Sequence, residues 1–220
     1  MGALPEAAIR ERANHEAAHA VAWWWLDKRH FLGRNYVFPR LDHVAVMRTE
    51  GDALRSAPGF EVPASVGLCA GDAMMPQAIV RATLEQPPGL NAREHRKFMR
   101  RAAFADCVHI MAGTIAEYLE RGEPILSWQD WDDWVAELSH LDGCAYSGDH
   151  WLVWQRVPFL GRHWRLLLRQ AFELADDIVR CHPWHIYEIA DALMWHGQVD
   201  GKEVYRLFDA AGPAVRRQGR

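Results

Sequence analysis

Cysteine is scarce in this sequence and never closely paired. Cys69, Cys107, Cys144 and Cys181 are the four thiols in 220 residues, and no CxxC pair occurs. That argues against a thiolate zinc knuckle, a thioredoxin-type redox motif and a disulfide-built scaffold; free thiols in a reducing cytoplasm are the expectation. A basic surplus is missing too. Lys and Arg number 25 against 29 Asp and Glu, the formal net charge is -4 and the pI is about 6.3. Nucleic-acid binders carry the opposite balance, so no nucleic-acid partner is expected. No apolar run reaches the roughly 18 residues that cross a bilayer; Ala20–Leu26 is apolar but lies between His19 and Asp27. Met1–Asn14 carries mixed charges without the apolar core of a signal peptide, and Glu6 stands where a myristoylation signal after Gly2 needs Ser or Thr. Neither a P-loop pattern nor a GxSxG nucleophile elbow occurs. The expectation from these absences is a soluble, cytoplasmic chain with no membrane partner.

What is abundant is histidine, with twelve, and tryptophan, with eleven. Half of the residues are hydrophobic, enough to build one core at this length. Pro5 suits a first helical turn, and the periodicity of Ile9, Ala13, Ala17, Ala20 and Leu26 predicts a helix ending near Lys28 and Arg29. Leu41–Met47 reads as a short strand. Glu50–Leu90 is rich in Gly, Pro and Ala and reads as an inserted loop or lobe. Asn91 with Glu94 forms a capping pair for a helix that runs to Arg121 and stops at Gly122. Ser127 with Asp130 opens another helix, and a turn follows at Asp142–Gly143. A short helix begins at Ser147–Asp149 and stops before Pro158; Leu160–Arg180, Pro183–His196 and Lys202–Ala210 complete the helices. The fold class expected is mainly α with a small β element: one domain over residues 1–210, with 50–90 as the insertion and 211–220 as a frayed basic tail.

The chemistry-bearing segment is Asn14-His15-Glu16-Ala17-Ala18-His19-Ala20, an HExxH pattern on the first helix. Four residues is about one helical turn, so both imidazoles project from one face and reach one ion. Glu16 is placed to act on a water activated by that ion without ligating it. A zinc at such a site lowers the pKa of water towards 7, and Glu16 serves as general base. Small apolar neighbours and the Trp23–Trp25 run on the same helix favour a buried site. Two histidines leave a catalytic zinc short of its usual three protein ligands.

These residues resemble the peptidase domain of the FtsH-type membrane ATP-dependent proteases. That family carries HEAGHA where this chain has HEAAHA at His15–Ala20. Downstream, in the same order, Leu41–Met47 resembles the strand after the family's active-site helix, and Ala112-Gly113-Thr114-Ile115-Ala116-Glu117 its glycine-containing helix segment. Ser147-Gly148-Asp149 is similar to the stretch ending in the family's third zinc ligand, and Ile189–Leu193 with Val199–Val204 to its C-terminal end. The resemblance implies that His15, His19 and Asp149 hold Zn2+ and that Glu16 is the general base. It further implies a mainly α, zincin-like fold and a zinc metalloendopeptidase acting on peptides or unfolded protein segments. Asp130, Asp132 and Asp133 compete with Asp149 on chain position alone. The family's ATPase module and membrane segment have no counterpart here, so the activity implied is ATP-independent.

Cys181-His182-Pro183-Trp184-His185 reads as a helix junction rather than a second metal site. Arg93, Arg96, Lys97, Arg100 and Arg101 read as a solvated helix face, and Trp128, Trp131 and Trp134 as core or groove lining. Leu41–Met47 is also a candidate edge for an extended substrate. Two other functions stay open on the sequence: a zinc-binding but non-catalytic regulatory module, and a metal-free helical scaffold.

Overall fold

The computed structural model describes residues 5–32, 41–46, 54–56, 60–62, 68–71, 91–122, 127–138 and 149–210. The fold is mainly α with a small β element. The elements run α1 (Glu6–Lys28), β1 (Leu41–Ala45), β2 (Leu54–Ser56), β3 (Phe60–Val62), β4 (Leu68–Gly71), α2 (Ala92–Arg121) and α3 (Trp128–Leu138), then α4 (Asp149–Trp154), α5 (Val157–Leu160), α6 (Trp164–Cys181), α7 (Pro183–His196), β5 (Gln198–Asp200) and α8 (Gly201–Ala210).

α1 is the centre of the molecule. Its residues from Ala13 to Trp23 are buried on nearly every face, with His15 alone half-buried among them. A helix this enclosed needs thin side chains where neighbours cross. Ala13, Ala17, Ala18, Ala20 and Ala22 supply them, each fully or almost fully buried. α2 and α7 pack against α1, and α6 packs against α2. Glu6 in the first turn and Lys28 in the last match the helix dipole.

α2 spans 30 residues, roughly 45 Å at 1.5 Å per residue. Its start is fixed by the expected capping box. The Asn91 side chain accepts from the Glu94 N–H at 3.0 Å, and the Asn91 N–H donates to the Glu94 carboxylate at 3.1 Å. Gly122, at φ 65°, ends the helix in the left-handed conformation that glycine adopts without strain. The five basic residues near its start are exposed, as expected of a solvated face. Ser127 and Asp130 open α3 by mutual hydrogen bonds, and Trp131 is fully buried in the core.

The sheet differs from expectation. Leu41–Ala45 is a strand, but it is central in the antiparallel order β4-β1-β5, paired on one side with Leu68–Gly71 and on the other with Gln198–Asp200. Both its backbone edges are used, so the reading of this strand as a substrate edge is wrong. His43, Val44 and Ala45 are all buried, the mark of a strand covered on both faces. β5 was not expected at all. Gly201 brings α8 against β1 so closely that a Cβ there would lie 1.8 Å from the Leu41 carbonyl oxygen. Within 50–90, β2 and β3 form a separate antiparallel pair. α4 stops before Pro158 as expected, and Pro158 itself sits in the first turn of a further short helix, α5, where a missing N–H costs nothing. Gly161, at φ 79°, then separates α5 from α6, so α6 starts four residues later than periodicity suggests. The Asp142–Gly143 turn and the basic tail lie outside the described residues. Among the described residues, no helix is long and apolar enough to cross a membrane.

Candidate metal centre

The HExxH turn lies mid-way along α1, facing α2. His15 and His19 bring their Nε2 atoms to 3.0 Å from each other. Asp149, the first residue of α4, places Oδ2 at 3.2 Å from His15 Nε2 and 3.6 Å from His19 Nε2. The Glu16 carboxylate is within 4.8 Å of the imidazole nitrogens. It is buried, as is His19, while His15 keeps a small opening to solvent. The competitors for the third position go elsewhere. Asp130 caps α3 through Ser127, Asp132 accepts from Arg165 at 3.1 Å, and Asp133 is exposed.

Each ring is oriented through its other nitrogen. His15 Nδ1 donates to Glu117 Oε2 at 3.1 Å, and His19 Nδ1 donates to the His109 carbonyl oxygen at 2.8 Å. Neither partner can donate, so the Nδ1 atoms carry the protons. In their neutral forms both rings therefore turn Nε2 lone pairs to the same spot. Asp149 Oδ2, held by the Thr114 hydroxyl at 3.1 Å, adds a third acceptor. Three converging acceptors need a cation or a shared proton between them.

The donor set fits zinc. The triangle of ligand atoms has edges of 3.0, 3.2 and 3.6 Å. Tetrahedral zinc, with bonds of about 2.0–2.1 Å, keeps its ligand atoms about 3.3 Å apart. Two imidazoles and a carboxylate, each ring buttressed by a carboxylate or carbonyl, is a normal zinc environment. Gly113 on α2 makes the space. A Cβ there would lie 2.4 Å from His19 Cε1, 2.5 Å from His19 Nε2 and 2.8 Å from His15 Nε2.

Without a metal the protons redistribute. Burial opposes charge on His15, but the Asp149 and Glu117 carboxylates outweigh it and raise its pKa well above the usual imidazole value. Burial lowers His19 to about 4, Asp149 notwithstanding. Burial works against Asp149 too, yet the two imidazoles and Thr114 hold its carboxyl well below the ordinary range. Glu16 is raised to about 8 by burial, with Asp149 and Glu117 adding to the effect against the pull of His15. A bound divalent cation reverses this local balance and favours ionised Glu16.

Four contributors had no assigned role in the sequence: the His109 carbonyl, Gly113, Thr114 and Glu117. They lie on one face of α2, where Thr114 and Glu117 interrupt a mostly apolar stretch. That interruption is the signal by which those two are found; a backbone carbonyl leaves none in the sequence. His109 also returns a bond, its Nδ1 meeting the His19 carbonyl at 3.0 Å, so the two helices are latched reciprocally. Cys181–His185 falls at the α6–α7 junction as expected. The rings of His182 and His185 do meet there, at 4.9 Å between centroids, and pack with Trp24 and Phe208 in the core. Compared with known proteins, the chain matches no protein-family model and no curated protein.

Proposed function

We propose that this chain is a zinc-dependent, ATP-independent endopeptidase of the FtsH-peptidase type. It acts on peptides or unfolded protein segments. The observation that carries the reading is the convergence of His15 Nε2, His19 Nε2 and Asp149 Oδ2 beside the buried Glu16 carboxylate. His15, His19 and Asp149 would hold the ion. When bound, zinc supplies Lewis acidity towards a substrate carbonyl and eases the ionisation of water. Glu16 takes the proton of the attacking water and delivers it to the departing amine. Glu117 and the His109 carbonyl keep both rings in the tautomer the site requires. The free thiols of Cys107 and Cys181 fit a reducing cytoplasm.

The test is Glu16→Gln in the full chain, assayed on a broad library of unstructured peptides alongside a zinc determination. The expected outcome is zinc retained and hydrolysis lost by at least about 100-fold, the range of a general base. A parent protein that binds zinc but cleaves nothing would make the centre that of a non-catalytic module. A parent that binds no divalent metal would make it a helical scaffold.

A further inference from the structure

α4 carries the third ligand, yet it is only 6 residues long and cannot hold its own position by helical stability. It is pinned to α2 at two points. At its start, Thr114 on α2 donates to Asp149 Oδ2 at 3.1 Å. Past its end, Arg156 Nε donates to Asp106 Oδ2 on α2 at 3.0 Å, and Arg156 Nη1 also caps the α4 carbonyl of Leu152 at 3.1 Å. Asp106 and Thr114 are eight residues apart on α2, roughly 12 Å. Asp149 and Arg156 are seven apart, counted in the opposite direction along the chain. The two segments lie antiparallel, and the spacing of their anchors matches.

We propose that the Asp106–Arg156 ion pair is the positioning device of the candidate metal centre, setting the register of α4 on α2 so that Asp149 meets the two imidazoles. The inference rests on the zinc reading above. Both side chains are almost wholly buried, at 2 % and 3 % exposure. A pair this deep is a poor source of stability, because desolvation offsets the attraction. Burial raises Asp106 to about 6 even with Arg156 against it. An apolar pair of the same volume would fill the space as well; what it would not supply is direction. The guanidinium ties one α2 carboxylate to one α4 carbonyl and so fixes where the two segments meet. His150, beside Asp149, packs on Trp131 at 4.6 Å between ring centroids and closes the other side of α4.

The experiment compares three full-length proteins: the parent, the double variant Asp106→Leu/Arg156→Met, and Arg156→Lys. Each is measured by denaturant unfolding without metal, by competition of Zn2+ against a chromophoric chelator, and by the visible spectrum of the Co2+ form. The expected result for the double variant is unchanged or increased stability with Zn2+ affinity weakened about 10- to 100-fold, the usual effect of losing a group that orients a ligand. Its Co2+ spectrum should lose tetrahedral intensity. A merely structural pair predicts the reverse, affinity following stability. Should the double variant fail to fold, Arg156→Lys decides: it keeps the charge and loses the fork, so Zn2+ binding weakens if Arg156 positions Asp149. A parent that binds Zn2+, with folded variants binding it equally well, overturns the positioning role alone. A parent that binds none overturns the zinc reading beneath it.

Discussion

Gly113→Ala separates the metal site from the fold more cleanly than any ligand substitution. The added Cβ would lie 2.4 and 2.5 Å from His19 ring atoms and 2.8 Å from His15 Nε2. Ordinary van der Waals contact begins near 3.4 Å, so the His19 ring must move by about 1 Å in a close-packed interior. It is not free to do so without loss, because its Nδ1 is bonded to the His109 carbonyl at 2.8 Å. Metal sites hold their ligand distances to about 0.2 Å, so a shift of this size breaks the convergence with His15 and Asp149. Stability is another matter. Overpacking costs about 1–3 kcal/mol, while replacing a mid-helix glycine returns about 0.5–1 kcal/mol. The net loss is between about zero and 2.5 kcal/mol, small enough to leave the protein folded. Zn2+ affinity, read by chelator competition, should fall by more than about 100-fold, beyond the effect of losing an orienting partner. Urea unfolding of the metal-free forms should show a loss of no more than about 2.5 kcal/mol. A Gly113→Ala protein that binds Zn2+ as tightly as the parent would refute this reasoning, since the added methyl group displaces the rings that are to hold the ion.

Two further outcomes concern the fold. Gly201→Ala sets a methyl 1.8 Å from the Leu41 carbonyl oxygen, a backbone atom held in the sheet, so urea unfolding should show a loss of about 3 kcal/mol or more. Stability should also fall in mild acid through His182. Burial, with His185 and Arg29 adding, lowers its pKa to about 4, below the unfolded value near 6.5. The unfolded chain therefore binds the proton first: the contribution is present above pH 6.5 and is lost as pH falls towards 4, by up to about 3 kcal/mol. His182→Asn should flatten that part of the unfolding free energy against pH, and an unchanged slope would count against the burial account.

The HExxH turn was legible because its chemistry is local. His15 and His19 share a helix, and four-residue spacing fixes their common face whatever else the chain does. The bounds of α2 were legible for the same reason, since Asn91, Glu94 and Gly122 act within one turn of each end. The candidate for the third ligand position is different. Nothing in the spacing of Asp130, Asp132, Asp133 and Asp149 decides which meets the imidazoles, because that depends on how α4 docks on α2. Only the family resemblance pointed to Asp149, and the structure brings that residue to the rings. The error over Leu41–Met47 has the same origin. A strand's own residues say that it is buried but not who pairs with it, and here one partner lies more than 150 residues downstream. β5 itself, three residues between Gly197 and Gly201, is too short to outweigh the turn signals around it.

The central claim is that His15, His19 and Asp149 hold one zinc ion. X-ray absorption at the zinc edge, on full-length protein loaded with one equivalent of Zn2+, tests it most directly. The account predicts a four-coordinate shell of two imidazole nitrogens and oxygen donors at about 2.0–2.1 Å, with no sulfur, and loss of one imidazole in His19→Ala. A shell containing thiolate, or one unchanged by His19→Ala, would contradict it.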